Sequence, residues 1–527
     1  MNINMKKIIV GTIAAALSIP MCFGQASSVE ELKGANLNWQ NKDLKFDATA
    51  GVSVRKAYLE FLKDKEAKKT VIVAVIDSGV DIEHEDLVGK IWTNKKEIPN
   101  NNVDDDKNGY IDDVHGWSFL GGSNGENINE ENLEFTRIVK RGEKDNPLYK
   151  AAKAEYDADL KAKTATLESL EKSAAKINEL KATIKTATEI EVNSLKDLEK
   201  VISEDSNVLA AKTFLTIRYK AGFTEKGLEG YRVYIQKYVD TYLNLDFNPR
   251  EVVGDDPYNM DDKNYGNSDV RGPAATHGTF VAGIIAAKRN NKIGINGIAE
   301  NVQIMALRAI PDGDERDKDV ALAIMYAVDN GANIINMSFG KTYSPNKSFV
   351  DKAVKYAEDN NVLLLHAAGN EGKDIDVHTK YPSNIYTDGT WVKTWLTIGA
   401  NSAKAGRELP AVFSNYGAVN VDMFAPGVKV VSLDTGSTYG NMNGTSFSCP
   451  VVAGVAALVL SYYPYLTAVQ LKDILKETAV AVKPSKVYVP GRVAGKRAKT
   501  KFKKLSNTGG VVNAYKALEL AEKRSAK

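Results

Sequence analysis

Two cysteines in 527 residues leave this chain little sulfur chemistry. Cys22 lies in an apolar stretch near the N-terminus. If that stretch is removed, Cys449 stands alone and no internal disulfide is possible. Histidine is also scarce: any imidazole chemistry must come from His84, His115, His277, His366 or His378. Charge of one sign is missing too. The formal net charge of +2 gives no overall push toward nucleic acid or a membrane surface. Beyond the N-terminal stretch, no segment reads as a bilayer span. What is present is an ordinary globular composition, 43% hydrophobic and 26% charged, with length enough for two or three domains.

The N-terminus reads as an export signal. Lys6 and Lys7 precede the apolar residues 8–23, and small residues follow at Gly24 and Ala26. We assign 1–24 to a signal peptide and expect a periplasmic, cell-surface or extracellular protein. Lipid attachment at Cys22 is disfavoured by the bulky Ile19-Pro20-Met21 before it. Residues 25–69 read as a pro-segment or extension, with Ser27-Ser28 capping a first helix.

From residue 70 the pattern changes. "TVIVAVIDSGVD" (70–81) is a β-branched run of the kind buried on both faces of a parallel sheet. Similar runs recur at 301–310, 331–340, 361–370 and 395–402, with helical patterns at 318–332 and 348–361 between them. This alternation predicts an α/β fold with a mostly parallel twisted sheet flanked by helices. Sites in such sheets lie at the carboxyl ends of strands. Residues 121–265 break the rhythm and read as a helical insertion with a charged, solvent-facing surface. Asn193-Ser194 is a candidate cap for a helix carrying Leu195, Leu198 and Ile202. Residues 483–504 are rich in lysine and arginine and read as a flexible basic loop; no nucleic-acid motif accompanies them. A final helix follows.

Three polar residues stand at the ends of apolar elements. Asp77 ends the first strand, His277 opens "HGTFVAGIIAA", and Ser446 opens the apolar helix of "NMNGTSFSCPVVAGVAALVL" (441–460). A serine nucleophile needs a base to take its proton and a carboxylate to fix the base's tautomer. Gly444 reads as the residue permitting a tight turn before Ser446, and Gly278 and Gly283 as sites of close helix packing.

These blocks, in the order Asp, His, Ser, resemble the signatures of the subtilases, the subtilisin-like serine peptidases. Residues 71–81, "HGTFVAG" (277–283) and "NGTSFSCPVVAG" (443–454) carry the resemblance, with "HAAGNEG" (366–372) as a fourth block. It covers 70–120 and 265–480, within a peptidase domain we place at 70–527. It implies a secreted endopeptidase acting through an acyl-enzyme. Asp77, His277 and Ser446 would be catalytic, and Asn370 with the Ser446 N–H would form the oxyanion hole. It also implies that Ser338, Phe339 and Gly340 receive the substrate residues before the scissile bond, and that residues 310–314 flank them opposite. Asp312, Asp314 and Glu315 leave two readings open: a preference for basic substrate residues, or a solvated loop. His84 is expected to be structural. Phe280 stands where many subtilases have a second histidine, and Cys449 is expected to be a buried packing residue. Residues 25–69 are shorter than the family's usual folded inhibitory propeptide.

"DDDKNGYIDD" (104–113) resembles the first half of a calcium loop. Asp104, Asp106, Asn108, the Tyr110 carbonyl and Asp112 or Asp113 are the candidate ligands. His115 stands where an EF-hand would have its bidentate Glu, so a calcium-binding turn is expected instead. Peptides or proteins are the expected partners, the chain is expected to be monomeric, and no catalytic metal or organic cofactor is expected. The residues oppose two rival readings. A catalytically silent relative is opposed by the intact set of residues. An esterase of the other α/β type is opposed by the absence of Gly-x-Ser-x-Gly and by the triad order.

Overall fold

The computed structural model describes residues 37–491 and 497–525. The signal segment at 1–24 and the cap at Ser27-Ser28 fall outside the described residues. The chain divides into two units, one of Glu130–Pro249 and one containing the rest.

The larger unit is built on β1 (Val71–Asp77), β2 (Gly116–Ser118), β3 (Val302–Arg308), β4 (Ile334–Met337), β5 (Leu363–Ala367), β6 (Trp395–Asn401) and β7 (Met423–Pro426). Their order is β2-β3-β1-β4-β5-β6-β7, and every pairing is parallel. This is the parallel α/β sheet, flanked by helices, that the strand–helix alternation predicts. Strand side chains alternate between faces. Val73 and Val75 point into one core with α1 (Thr276–Ala286) and α4 (Thr445–Tyr462). Ala74 and Ile76 point into the other, with α2 (Asp317–Asp329) and α3 (Lys347–Asp359). Both faces are covered, so the strands read as continuous apolar runs.

α4 corrects one expectation. By length and composition it is apolar enough to cross a membrane, yet all of it is buried against the sheet. Each large apolar side chain so buried contributes roughly 1.5–3 kcal/mol.

Residues 37–69 are built into the same core. Trp39, Val52, Val54, Ala57 and Leu62 are buried, and the Val52 carbonyl accepts the N–H of Ala514 at the start of α5 (Ala514–Ser525). β8 (Val430–Asp434) and β9 (Thr438–Met442) form an antiparallel hairpin. The basic stretch near the C-terminus is not all loop: β10 (Lys486–Tyr488) and β11 (Lys499–Lys501) pair antiparallel.

The unit Glu130–Pro249 is helical. It contains a 40-residue helix, Tyr149–Thr188, and shorter ones at Leu195–Lys200, Ser206–Lys220 and Glu225–Lys237. Ile177, Ile184, Leu198, Val208 and Leu215 belong to its own small core. Ser194 caps Leu195–Lys200, but Ile202 lies beyond that helix and is 89% exposed.

Candidate active site

The sheet brings three strand ends together. Asp77 closes β1, Ser338 follows β4, and Asn370 follows β5. The N-termini of α1 and α4 carry His277 and Ser446 to the same edge.

Asp77 is 2% exposed. Its Oδ1 meets His277 Nδ1 at 2.7 Å and accepts the Ser78 N–H at 2.8 Å, while Oδ2 is buried without a partner among the described residues. α1 can start this close to β1 because residue 278 is glycine: a Cβ there would lie 2.0 Å from the Gly79 carbonyl oxygen. Burial alone would lower the His277 pKa. The Asp77 charge and hydrogen bond outweigh it, and the net direction is upward. The His277 ring packs 5.4 Å from that of Phe447.

Ser446 is the second residue of α4, and its Oγ donates to the Ser338 carbonyl at 3.0 Å. The return contact explains a proline. Pro450 has no N–H, so the Ser446 carbonyl four residues earlier loses its helical donor. The Ser338 hydroxyl supplies one instead, at 2.8 Å, and itself accepts from Asn336 Nδ2 at 2.9 Å. The start of α4 is thereby fastened to the strand end beside it. Among the described residues no hydrogen bond joins His277 to Ser446.

The Asn370 Oδ1 accepts the Thr445 N–H at 2.8 Å and the Thr445 hydroxyl at 3.0 Å. Its Nδ2 has no partner among the described residues and lies 3.7 Å from where a Gly444 Cβ would stand. Gly444 itself corrects the sequence reading. Its φ of 164° is extended backbone, and a Cβ there would make only ordinary contacts, so no tight turn demands glycine. Gly283 does pack closely, 2.4 Å from Leu433 Cγ by the same measure.

The other histidines lie elsewhere in structure or role. His84 is buried: Nε2 meets the Thr438 carbonyl, and Nδ1 accepts the Asp86 N–H. His115 Nδ1 meets the Trp92 carbonyl, and His378 is exposed. His366 is on β5, facing Gly340. Cys449 is free and buried, and burial pushes its thiol pKa far up, as for an inert packing residue.

Ser338, Phe339 and Gly340 form the edge beside Ser446, and Lys341 then pairs with Tyr381. Glu315 is not the solvated loop residue of one sequence reading. It is buried, its carbonyl accepts from Lys341 Nζ at 2.8 Å, and burial raises its carboxyl to about 8.

In the acidic loop, Asp104 and Asp106 come together with Glu97, each offering an oxygen within 4.8 Å of the others. Glu97 is 6% exposed; its Oε1 accepts the Asp105 and Asp106 N–H groups, and its Oε2 is buried without a partner. Burial pushes its carboxyl up, and the charges of Asp113 and Asp106 add to this. Asn108 donates its backbone N–H to Asp104 and Asp106. The Asp112 carboxylate instead accepts the Asn101 and Asn102 N–H groups. Tyr110 packs edge-on against Trp117 and Tyr326, and Asp113 accepts from Asn94, Asn108 and Tyr326. Sequence spacing missed Glu97, which precedes the motif and belongs to no recognisable pattern.

Known proteins are similar to this chain. A thermophilic serine proteinase of Bacillus sp. (strain AK1) is 34% identical over 280 residues, 52% of this chain and 63% of the relative. The chain thus spans less than two thirds of that protein. Subtilisin BL of Lederbergia lenta is 37% identical over 223 residues, 42% of this chain and 77% of the relative. Among solved structures, a protease from Pseudoalteromonas arctica PAMC 21717 matches with a TM-score of 0.40 and 27% identity, covering 50% of this chain and 82% of that one. The sequence model of the subtilase family matches residues 68–511, which take in the whole sheet, α1 to α4 and the strand-end loops, and this chain therefore belongs to the subtilase family of serine peptidases.

Proposed function

We propose that the chain is an exported endopeptidase that cleaves peptide bonds through Asp77, His277 and Ser446. The observation that carries this reading is the 2.7 Å bond between Asp77 and His277, 200 residues apart, beside a serine at the start of a buried helix. In the reaction, Ser446 Oγ turns from the Ser338 carbonyl toward His277 and gives its proton to Nε2 as the C–O bond to the substrate carbonyl forms. The imidazolium then protonates the leaving nitrogen, the C–N bond breaks, and water repeats the sequence on the acyl-enzyme. Asp77 holds the tautomer and stabilises the imidazolium. The Asn370 amide, oriented by its bonds to Thr445, donates to the oxyanion together with the Ser446 N–H. The substrate lies as an added strand along Ser338, Phe339 and Gly340.

Calcium belongs to the same proposal as a structural ion. Three convergent carboxylates, one with a buried unpartnered oxygen, suit a hard divalent cation, and Glu97, Asp104 and Asp106 would hold it. Asn108 and the Tyr110 carbonyl are further candidates, whereas the Asp112 carboxylate is committed to a turn. Export rests on the N-terminal apolar stretch. The helical unit carries none of the residues assigned to chemistry.

The test is hydrolysis of a denatured protein substrate. Ser446→Ala should abolish it and Cys449→Ala should retain it; hydrolysis by a folded Ser446→Ala protein would end the assignment.

A further inference from the structure

A cavity of about 210 Å³ is lined by His366, Ala368, Lys380, Tyr381 and Thr397 among others. Its lining residues adjoin neighbours of Ser446 by two routes. On one, a Cβ on Gly340 would stand 3.2 Å from His366 Nε2 and 3.0 Å from the Tyr381 carbonyl. On the other, Ala368 leads into Gly369, whose N–H donates to the hydroxyl of Thr445, the neighbour of Ser446. Resting on the function proposed above, a substrate paired along Ser338, Phe339 and Gly340 would send the side chain preceding the scissile bond into this cavity.

The cavity is not lined for an apolar side chain. The Lys380 side chain is 16% exposed, and its ammonium touches one carboxylate, Glu371, at 2.7 Å. Glu371 is 40% exposed and held at its other oxygen by Asn415 Nδ2 at 2.5 Å. Two of the three ammonium hydrogens have no partner among the described residues. Lys347, the other lining cation, is committed to Asp351 and the Ile385 carbonyl. His366 presents a buried Nε2 with no partner. Burial holds this imidazole neutral, down to about 4, against the opposing Phe339 backbone bond, and the Lys380 charge adds to the lowering.

We propose that this cavity selects an acidic side chain, glutamate above all, on the acyl side of the scissile bond, with Lys380 as its counter-ion. One carboxylate oxygen takes a free Lys380 hydrogen. The other accepts the second free Lys380 hydrogen. A carboxamide of the same shape must turn its NH₂ toward one of these donors, and an apolar side chain leaves both unpaired; such mismatches are what give polar sites their discrimination. Glu371 stays on Lys380 and on Asn415, so the ammonium bridges two carboxylates.

The experiment compares kcat/KM for quenched peptides that differ only at that residue: Glu, Gln, Leu or Lys. Wild type should favour Glu over Gln and Leu by about tenfold or more, the fold-change of one hydrogen bond to a charged group at its lower end. Lys380→Arg should keep the preference. Lys380→Met should abolish it, and so should Lys380→Met with Glu371→Gln, which removes the repulsion of a stranded carboxylate. Lys380→Glu should turn the preference toward Lys. Each variant is titrated with a fluorophosphonate to count reactive serines, which also shows that it is folded. A wild-type preference for Leu, Gln or Lys, or a Glu preference surviving in the double variant, overturns the proposal while labelled Ser446 leaves the peptidase reading intact. Absence of labelling and of hydrolysis overturns both.

Discussion

Replacing Ser338 by alanine should cost the protein stability through a carbonyl that Ser338 does not own. Pro450 deprives the Ser446 carbonyl of its helical donor, and the Ser338 hydroxyl replaces that donor at 2.8 Å in a fully buried setting. Ser338→Ala strands the carbonyl, at a cost of about 1–3 kcal/mol for an unsatisfied buried acceptor. Pro450→Ala supplies an N–H in the right place, so the same Ser338→Ala change should cost about 1 kcal/mol less in that background. The loss of the Asn336 Nδ2 bond to Ser338 Oγ occurs in both backgrounds and cancels in the cycle. The assay is urea unfolding followed by tryptophan fluorescence, on an Ser446→Ala background to prevent self-digestion. All five tryptophans (39, 92, 117, 391 and 395) lie outside the helical unit, so the signal reports the sheet-bearing unit. With an unchanged denaturant slope, the midpoint shift gives the free energy. Additive costs within about 0.5 kcal/mol would refute the reasoning.

The remaining predictions concern the site and the acidic loop. Asn370→Ala and Asn370→Asp should lower kcat with little change in KM, by about 10²–10³, a magnitude known for a donor of this kind in subtilisin; near-wild-type kcat in a folded Asn370→Ala protein would leave Asn370 a turn residue. The Asp77 charge raises the His277 pKa, so the acid limb of kcat/KM should have its midpoint above the ordinary histidine value of about 6.5. The ion pair favours the protonated ring: its stabilisation is full below that ordinary value and is lost as pH rises through the folded one, while activity rises over the same window. Asp77→Asn should move the limb down as well as lower kcat; a limb that does not move contradicts the coupling. Chelation should lower the melting temperature of the wild type, with up to about 2.7 kcal/mol lost if calcium had stood at a hundred times its Kd. Glu97→Gln should remove that sensitivity, and an unchanged chelator effect would place the ion elsewhere.

The strands β1, β3, β4, β5 and β6 were legible because parallel strands covered on both faces must be apolar throughout. β2 (Gly-Trp-Ser), β7 (ending in proline) and the hairpin strands β8 and β9, broken by Ser432 and by Gly440-Asn441, were missed because no continuous apolar run marks them. Asp77, His277 and Ser446 stood out because each interrupts an apolar element at its end. The contacts that support them did not. The exchange between Ser338 and Ser446 joins residues 108 apart, and nothing local to Pro450 reveals which hydroxyl replaces its missing donor. Gly444 misled, since a glycine before a helix suggests a turn and here the chain is simply extended. Ile202 fitted a helical spacing, yet the helix stops at Lys200 and leaves it in solvent. Glu97 and Lys380 carry no motif at all; tertiary proximity alone makes the one a candidate ion ligand and the other a cavity wall.

The central claim, that Ser446 is the nucleophile activated by His277, is tested most directly by mapping a fluorophosphonate adduct by mass spectrometry. The account predicts one adduct per chain, on Ser446, formed at a rate that collapses in His277→Ala. An adduct on another residue, or one formed on Ser446 at an undiminished rate without His277, would contradict it.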